Sequence, residues 1–456
     1  MEFKLPVFVS QIIEKFQKAG FEIYIVGGSV RDLLLGRTVS DWDFTTKATP
    51  EEILKIFPTG FYDNEFGTVG ITDGKKEVYE ITTFRREEKY SDRRHPDKVT
   101  WGETIQEDLS RRDFTINAMA LRLTSFAQGK LSKKKNDFQL IDPFEGQKDL
   151  KKREIKAVGD PIKRFNEDAL RLIRAVRIAT ELGFNIETKT FQAIKDLASL
   201  ITQIAKERVK KELLKILASP YPDDGMMLLR NSGLLEYILP ELEKAFEIPQ
   251  KSPGRHHLYD VGTHSLLSLK FCPSPDPLVR LATLIHDLGK VSTFKKDKES
   301  ITFYNHEMVS ASLAKNLARS LRFSKKEEEK LVNLVRWHQF TVDERQTDKA
   351  IRRFIKNIGK ENIKDMLTLR VGDRLGGGAR ETSWRLEAFK KRLKEVQKQP
   401  FSLNDLKIDG NEVMKVLGIG PGPRIGQILE KLFEEVVEDK EKNKKEYLLK
   451  RIKEIK

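Results

Sequence analysis

At 456 residues the chain is too long for one hydrophobic core, and two to four domains are expected. The apolar share of 39% is ordinary for a soluble protein, no apolar run approaches membrane-spanning length, and Met-Glu-Phe-Lys at the start lacks the pattern of a secretory signal. The single cysteine, Cys272, excludes an internal disulfide and fits a reducing, cytoplasmic setting. The net charge of +15 is unevenly spread: residues 1–120 hold 17 basic against 21 acidic side chains, whereas residues 311–400 hold 23 against 12. An acidic head on a basic body suits a catalytic domain joined to one that holds nucleic acid. A generally lysine-rich background would not leave the head acidic.

In chain order, Ile23 to Val26 reads as a short buried strand, ended by Gly27 and Gly28, which permit a tight turn and close backbone approach to a ligand. Val30 to Leu35 reads as the start of a helix, whose free N–H groups favour an anion. Asp41 and Asp43 follow in a second short strand, where residues two apart face one side. Two adjacent carboxylates repel unless a cation lies between them, and hard oxygen ligands favour Mg²⁺. Residues 66–84 read as two strands joined at Asp73-Gly74. The polar stretch 85–103 reads as a mobile loop, and 129–139 as an exposed hairpin tip. From about residue 160 the helical period takes over. Stretches 247–257 and 398–410 mark boundaries, and Glu438 to Lys456 reads as a charge-alternating helix.

The segments "GGSVRD", "DWDF", "RRDFTINA", "DPFEGQKDL" and "EDALRLIRAVR" occur in an order and spacing that resemble the class II tRNA nucleotidyltransferase and bacterial poly(A) polymerase family, over about residues 20 to 235. The resemblance implies an α+β fold: a polymerase-β-like nucleotidyltransferase head followed by an all-α neck, body and tail. It implies that Asp41 and Asp43 hold the catalytic Mg²⁺, and that Gly28, Arg31 and Arg112 contact the nucleotide. Such ions activate an attacking 3′-hydroxyl and stabilise departing pyrophosphate. Glu80 is a candidate third carboxylate.

Glu167, Asp168, Arg171, Arg174 and Arg177 are expected on one helix, with Asp168 and Arg171 on neighbouring turns of one face. An aspartate accepts from the exocyclic amine of cytosine or adenine, and an arginine donates to the adjacent ring nitrogen. Uracil and guanine reverse that pattern, at about 1–3 kcal/mol per contact. The resemblance assigns this selection to Asp168 and Arg171, with Arg174 and Arg177 as further nucleotide contacts. A surface i,i+3 ion pair is the plain alternative, although three arginines on one helix argue against it. "YSDRRHPD" (90–97) resembles the family's loop that helps the site switch from C to A addition, while Phe66 stands where many relatives carry histidine.

Six of the seven histidines fall between 256 and 338. His264, the His286-Asp287 doublet and Asp373 resemble the metal quartet of the HD phosphohydrolase domain, which implies a divalent transition metal and phosphate-ester hydrolysis. His306 and His338 stand where HD domains with two metals place extra ligands. The glycine-rich turn at 418–422 is a candidate phosphate contact or merely a helix connection. Arg345, Arg352, Arg353, Arg370 and Arg374 are candidate tRNA contacts or ordinary surface charges.

The expected division is a nucleotidyltransferase head (1–150), a helical neck with the nucleotide-selecting helix (151–250), an HD domain (251–395) and an RNA-binding tail (396–456). The expected function is addition of C, C and A to the tRNA 3′ end from CTP and ATP, with no membrane partner. Alternatives are an A-adding enzyme of a split system, a poly(A) polymerase, a metal-dependent phosphohydrolase with an RNA-binding head, and a non-catalytic RNA-binding module.

Overall fold

The computed structural model describes residues 2–64, 67–74, 77–88, 98–125, 136–250, 259–296, 301–340, 347–397 and 403–455. The chain divides into two compact units, Met1–Glu243 and Lys244–Lys456. Among the described residues no helix is long and apolar enough to cross a membrane.

The first unit carries strands β1 (Glu2–Phe3), β2 (Ile23–Val26), β3 (Asp43–Thr46), β4 (Phe61–Asn64), β5 (Thr68–Thr72), β6 (Val78–Thr83), β7 (Arg85–Glu88), β8 (Lys98–Trp101), β9 (Ala120–Ser125) and β10 (Asn136–Ile141). Eight of them form one mixed sheet in the order β1-β10-β9-β2-β3-β6-β5-β4. Central β2 is buried at all four residues, as its unbroken apolar run requires. β3 and β6 are parallel, a pairing that needs a crossover. The helix Pro50–Ile56 starts that crossover, with a Thr49–Glu52 capping box and Pro50 in its first turn. The helix Val7–Lys18 buries Val9, Ile12, Ile13 and Phe16, spaced for one helical face. Beyond the sheet come the helices Pro161–Glu167, Leu170–Leu182, Thr188–Leu197, Lys206–Ala218 and Pro222–Asn231. The architecture is therefore α+β, with a small mixed sheet followed by helices.

Three local expectations are corrected. Asp41 lies in a bend ahead of β3 and is exposed; the strand begins only at Asp43. Part of the 85–103 stretch is ordered as an antiparallel β7–β8 ribbon, in which Thr100 and Trp101 supply β-favouring side chains. Residues 136–139 belong to β10, paired with β9, rather than to a hairpin tip. The β5–β6 hairpin is as expected, with Gly74 at positive φ. Phe66, the 90–97 segment and residues 129–135 lie outside the described residues.

The second unit is almost wholly helical. Its C-terminal part packs Val413, Ile428, Leu432, Leu448 and Ile452 into one buried cluster. Gly418 caps the helix Gly410–Leu417 in a left-handed conformation, and Gly422 precedes the helix Pro423–Glu438, so both act as connecting residues. Arg352 is buried, and Arg370 is part-buried and bonded to Asp373 at 3.1 Å. Arg353 is exposed, and Arg374 is held by the carbonyl of Arg380. Arg345 lies outside the described residues.

Candidate functional site

Two sites are built, one in each unit. In the first, β2 ends at Val26 and Gly27 turns the chain with φ at 68°, a conformation that favours glycine. A Cβ at Gly27 would stand 2.8 Å from Arg112 Nη1 and 3.4 Å from Asp43 Oδ2, so the missing side chain also makes room for both groups. In the helix Gly28–Leu34, buried Ser29 donates its hydroxyl to the Asp41 carbonyl (2.8 Å) and accepts from the Asp43 N–H (3.0 Å). That one side chain fixes the backbone of the acid pair. Asp43 stands opposite Glu80 in the parallel β3–β6 register.

Burial raises the Asp43 carboxyl above its ordinary value; Arg112 opposes this, Asp41 reinforces it, and Arg174 and Arg31 also oppose it. The surrounding arginines are held in place. Buried Asp108 bonds Arg111 at 2.6 Å and Arg112 at 3.2 Å. Arg31 reaches Asn117 at 3.0 Å and pairs with Asp32. Arg174 grips buried Asp113 at 2.5 and 2.9 Å. Burial works to raise the Asp113 carboxyl, but Arg174 and Arg171 outweigh it and hold it well below the carboxylate range.

A cleft of about 340 Å³ is lined by Gly28, Asp43, Arg112, Asp168, Arg171 and Arg174. A second cavity of about 570 Å³ shares Gly28, Asp43 and Arg174 with it and adds Arg31, Asp41 and Arg177. Apart from the candidate third carboxylate, every residue expected in the head site borders one of two cavities that meet at Asp43. Glu80 lines neither. Arg177 lies away from the first cleft, held by Glu212 at 2.7 Å and Glu181 at 3.1 Å.

Glu167 and Asp168 do not share a helix with the three arginines. The helix Pro161–Glu167 ends, Asp168 is extended, and a new helix begins at Leu170. The break has a local partner: Asp168 Oδ1 accepts the Leu170 N–H at 3.0 Å, a side-chain turn just ahead of the new helix. Arg171 bonds Glu167 at 2.5 Å and the Arg111 carbonyl at 3.0 Å. Ser29, Asn117, Asp113 and Arg208, which brace Asp41, Arg31, Arg174 and Asp168, are not singled out by the sequence reading. Ser29, Asn117 and Asp113 lie inside the motifs quoted above, which was the available signal; Arg208 lies outside them.

In the second unit, His264 sits on the helix Val261–Lys270 and Asp373 on Ile363–Gly376. The His286-Asp287 pair follows Pro277–Ile285, His306 begins His306–Ser320, and His338 follows Lys325–Arg336. Tight packing brings them together: a Cβ on Gly372 would lie 2.5 Å from the Ser268 carbonyl, and one on Gly289 2.2 Å from that of His306. Gly289→Ala is accordingly expected to cost about 1–3 kcal/mol, read as a lower midpoint in thermal unfolding.

Asp287 is the hub of this cluster. Its Oδ2 lies 3.4 Å from His264 Nε2 and 3.3 Å from His286 Nε2, and its Oδ1 3.2 Å from His306 Nε2 and 3.3 Å from His338 Nε2. Asp373 Oδ1 lies 3.4 Å from His264 Nε2 and 3.6 Å from His286 Nε2. The Nδ1 atoms of His286, His306 and His338 meet the carbonyls of Thr283, Phe303 and Val335 at 2.7–2.8 Å. Those contacts place each Nδ1–H outward and turn each Nε2 inward, the orientation of metal-ligating histidine. Burial opposes a charge on His286, yet Asp287 and Asp373 push it up to about 10. A field that holds a proton on a buried imidazole is one that attracts a cation. His264, His286 and Asp373 offer ligand atoms within 4.8 Å of one another, as do His286, Asp287 and His338.

The sheet, with an acid pair beside a nest of arginines, defines a nucleotidyltransferase head. Family comparison agrees: residues 23–156 match the poly A polymerase head domain, 183–246 the probable RNA and SrmB-binding site of polymerase A, and 293–452 the putative tRNA nucleotidyltransferase domain 2. The chain is 33% identical to the CCA-adding enzyme of Lactococcus lactis subsp. cremoris (strain MG1363), covering 99% of this chain and 98% of that one. It is also 33% identical to that of Pediococcus pentosaceus, over 96% and 95%. A crystal structure of the Bacillus stearothermophilus CCA-adding enzyme in complex with CTP superposes with a TM-score of 0.73 at 28% identity, covering 99% and 98%. The chain belongs to the CCA-adding enzyme family and is a nucleotidyltransferase.

Proposed function

We propose that this chain adds C, C and A to the 3′ end of tRNA, using CTP and ATP. The observation that carries the reading is that one cleft holds Asp43 together with Asp168 and Arg171, so that a nucleotide's reacting phosphate and its base edge are addressed together. Hard carboxylate oxygens and the raised Asp43 carboxyl fit Mg²⁺, which Asp41 and Asp43 would hold. When bound, it supplies activation of the 3′-hydroxyl and neutralisation of the triphosphate. Arg31, Arg112 and Arg174 attract the phosphates, Gly28 lets the chain approach them, and Arg177 extends the positive field into the second cavity. Asp168 and Arg171 read the amine and ring nitrogen shared by C and A. In this reading the head spans 1–150, the neck 151–250, the HD domain 251–395 and the RNA-binding tail 396–456.

The reading is tested by supplying purified protein with tRNA lacking CCA, tRNA lacking only A, and an unstructured RNA. C followed by A on the first substrate is the expected result. A alone, added only to tRNA ending in CC, would mean an A-adding enzyme, and long A tails on plain RNA a poly(A) polymerase.

A second activity is favoured by the hub at Asp287. His264, His286, Asp287 and Asp373 would hold a divalent transition metal, and His306 and His338 would serve a further ion on the other oxygen of Asp287. The ligand set fits, because the Nε2 atoms of His306 and His338 are buried and without hydrogen-bond geometry. The chemistry such ions supply is Lewis-acid activation for phosphate-ester hydrolysis. Cyclic 2′,3′-phosphates and phosphomonoesters are the substrates to test, with and without added divalent metals.

A further inference from the structure

We infer that Arg208 is a positioning residue for nucleotide selection, resting on the reading of Asp168 as the base-contacting acid. Arg208 comes from a different helix, Lys206–Ala218, and lines the same cleft as Asp43 and Asp168. Its Nη2 donates to Asp168 Oδ2 at 2.8 Å, and its Nη1 to Oδ1 at 3.4 Å. The Leu170 N–H also donates to Oδ1, at 3.0 Å. An ionised carboxylate presents about four lone-pair sites. Two on Oδ1 and one on Oδ2 are thereby used, which leaves one acceptor site, on Oδ2.

This arrangement matters because the terminal torsion of an aspartate is broad and roughly two-fold. The Leu170 amide alone holds one oxygen and leaves the other free to swing. Arg208 closes the second point of attachment, so the carboxylate plane is fixed and its open acceptor has one direction. A single, aimed acceptor takes the exocyclic amine of cytosine or adenine and finds no donor at the matching edge of uracil or guanine. A swinging carboxylate can turn away from the uracil carbonyl and lose its repulsion, so discrimination falls faster than binding. Asp168 and Arg208 are also only partly buried, at 16% and 28% side-chain exposure, so the pair is reachable from the cleft rather than sealed in the core.

The test is single-nucleotide addition by the full chain to tRNA lacking CCA, with CTP and UTP in parallel, for wild type, Arg208→Ala, Arg208→Met and Arg208→Lys. The expected result is a fall of about tenfold in the CTP:UTP ratio of kcat/KM for the alanine and methionine variants, the scale of one lost base contact. Arg208→Lys, which keeps one donor, restores part of the ratio. Arg208→Met retains the aliphatic stem and keeps the test usable if alanine destabilises the helix, with thermal unfolding as the check. A loss of kcat that is equal for CTP and UTP, with the ratio unchanged, assigns Arg208 to helix packing and overturns the inference. Asp168→Asn separates the two readings. If it leaves the ratio untouched, the base-contacting role of Asp168 fails and the inference with it. If it shifts the ratio while the Arg208 variants do not, the inference alone fails.

Discussion

Replacing Asp43 by asparagine is expected to lower CMP and AMP incorporation by about a thousandfold or more while leaving the fold intact. That magnitude corresponds to several kcal/mol of transition-state charge stabilisation, the scale of a metal's contribution to phosphoryl chemistry. The same substitution carries an opposite signature in stability. Burial, with Arg112, Arg174 and Arg31 in partial opposition and Asp41 in support, raises the Asp43 carboxyl on folding. A carboxyl raised on folding is less favourable ionised in the native chain than in the unfolded one. It therefore subtracts stability above its folded value, and the penalty fades as pH falls through that value. Asparagine carries no such penalty, so the thermal midpoint of Asp43→Asn at neutral pH should equal or exceed that of the wild type, with the gap closing in acid. Added Mg²⁺ should raise the wild-type midpoint and leave that of the variant unchanged. Incorporation at the wild-type rate would remove Asp43 from the chemistry.

Removing the Asp287 carboxylate is expected to have the second largest effect, because one side chain faces both sets of imidazoles. Transition metal retained after dialysis, measured by elemental analysis, should fall to background in Asp287→Ala. The loss of affinity should exceed the roughly 10–100-fold that follows removal of an outer hydrogen-bond partner of a ligand. Phosphate-ester hydrolysis should disappear with the metal. Lys290 complicates the alanine variant, since its buried ammonium bonds Asp287 at 2.7 Å and Gln250 at 2.6 Å. Asp287→Asn keeps a partner for that lysine while removing the charge, so loss of metal from both variants separates ligation from misfolding. His338→Ala should reduce metal content less than either, since it leaves His264, His286 and Asp373 in place. Metal retained in full by Asp287→Asn would place the ion elsewhere.

Much of this was legible in the sequence where the signal is local. The Ile23–Val26 strand and the glycine turn after it follow from an unbroken apolar run and two residues without side-chain restriction. The β5–β6 hairpin follows from Asp73-Gly74 between alternating runs. The set His264, His286, Asp287 and Asp373 is singled out by its resemblance to the HD domain, helped by the scarcity and clustering of histidine, and the fold brings those side chains together. What failed also has local causes. Asp41 reads as a strand residue by its spacing from Asp43, yet its carbonyl is held by the Ser29 hydroxyl and the strand begins two residues later. Asp168 reads as mid-helix, but its backbone is extended and its side chain closes a turn onto the Leu170 N–H, so the helix is broken at that point. Contacts between distant segments gave no signal in one sequence: Arg208 on Asp168 and Arg174 on Asp113 are separated by 40 and 61 residues. Neither was a reading the local pattern could supply.

The Ser29 hydroxyl joins the first turn of the Gly28–Leu34 helix to both members of the acid pair. The start of that helix and the acid-bearing turn are thus wired into one block by a single rotatable oxygen; in the proposed reaction the first would meet the triphosphate and the second would hold the ion. A tilt of that helix would carry both along and preserve their alignment, so under the proposed function local wiring would keep the in-line geometry from one addition to the next.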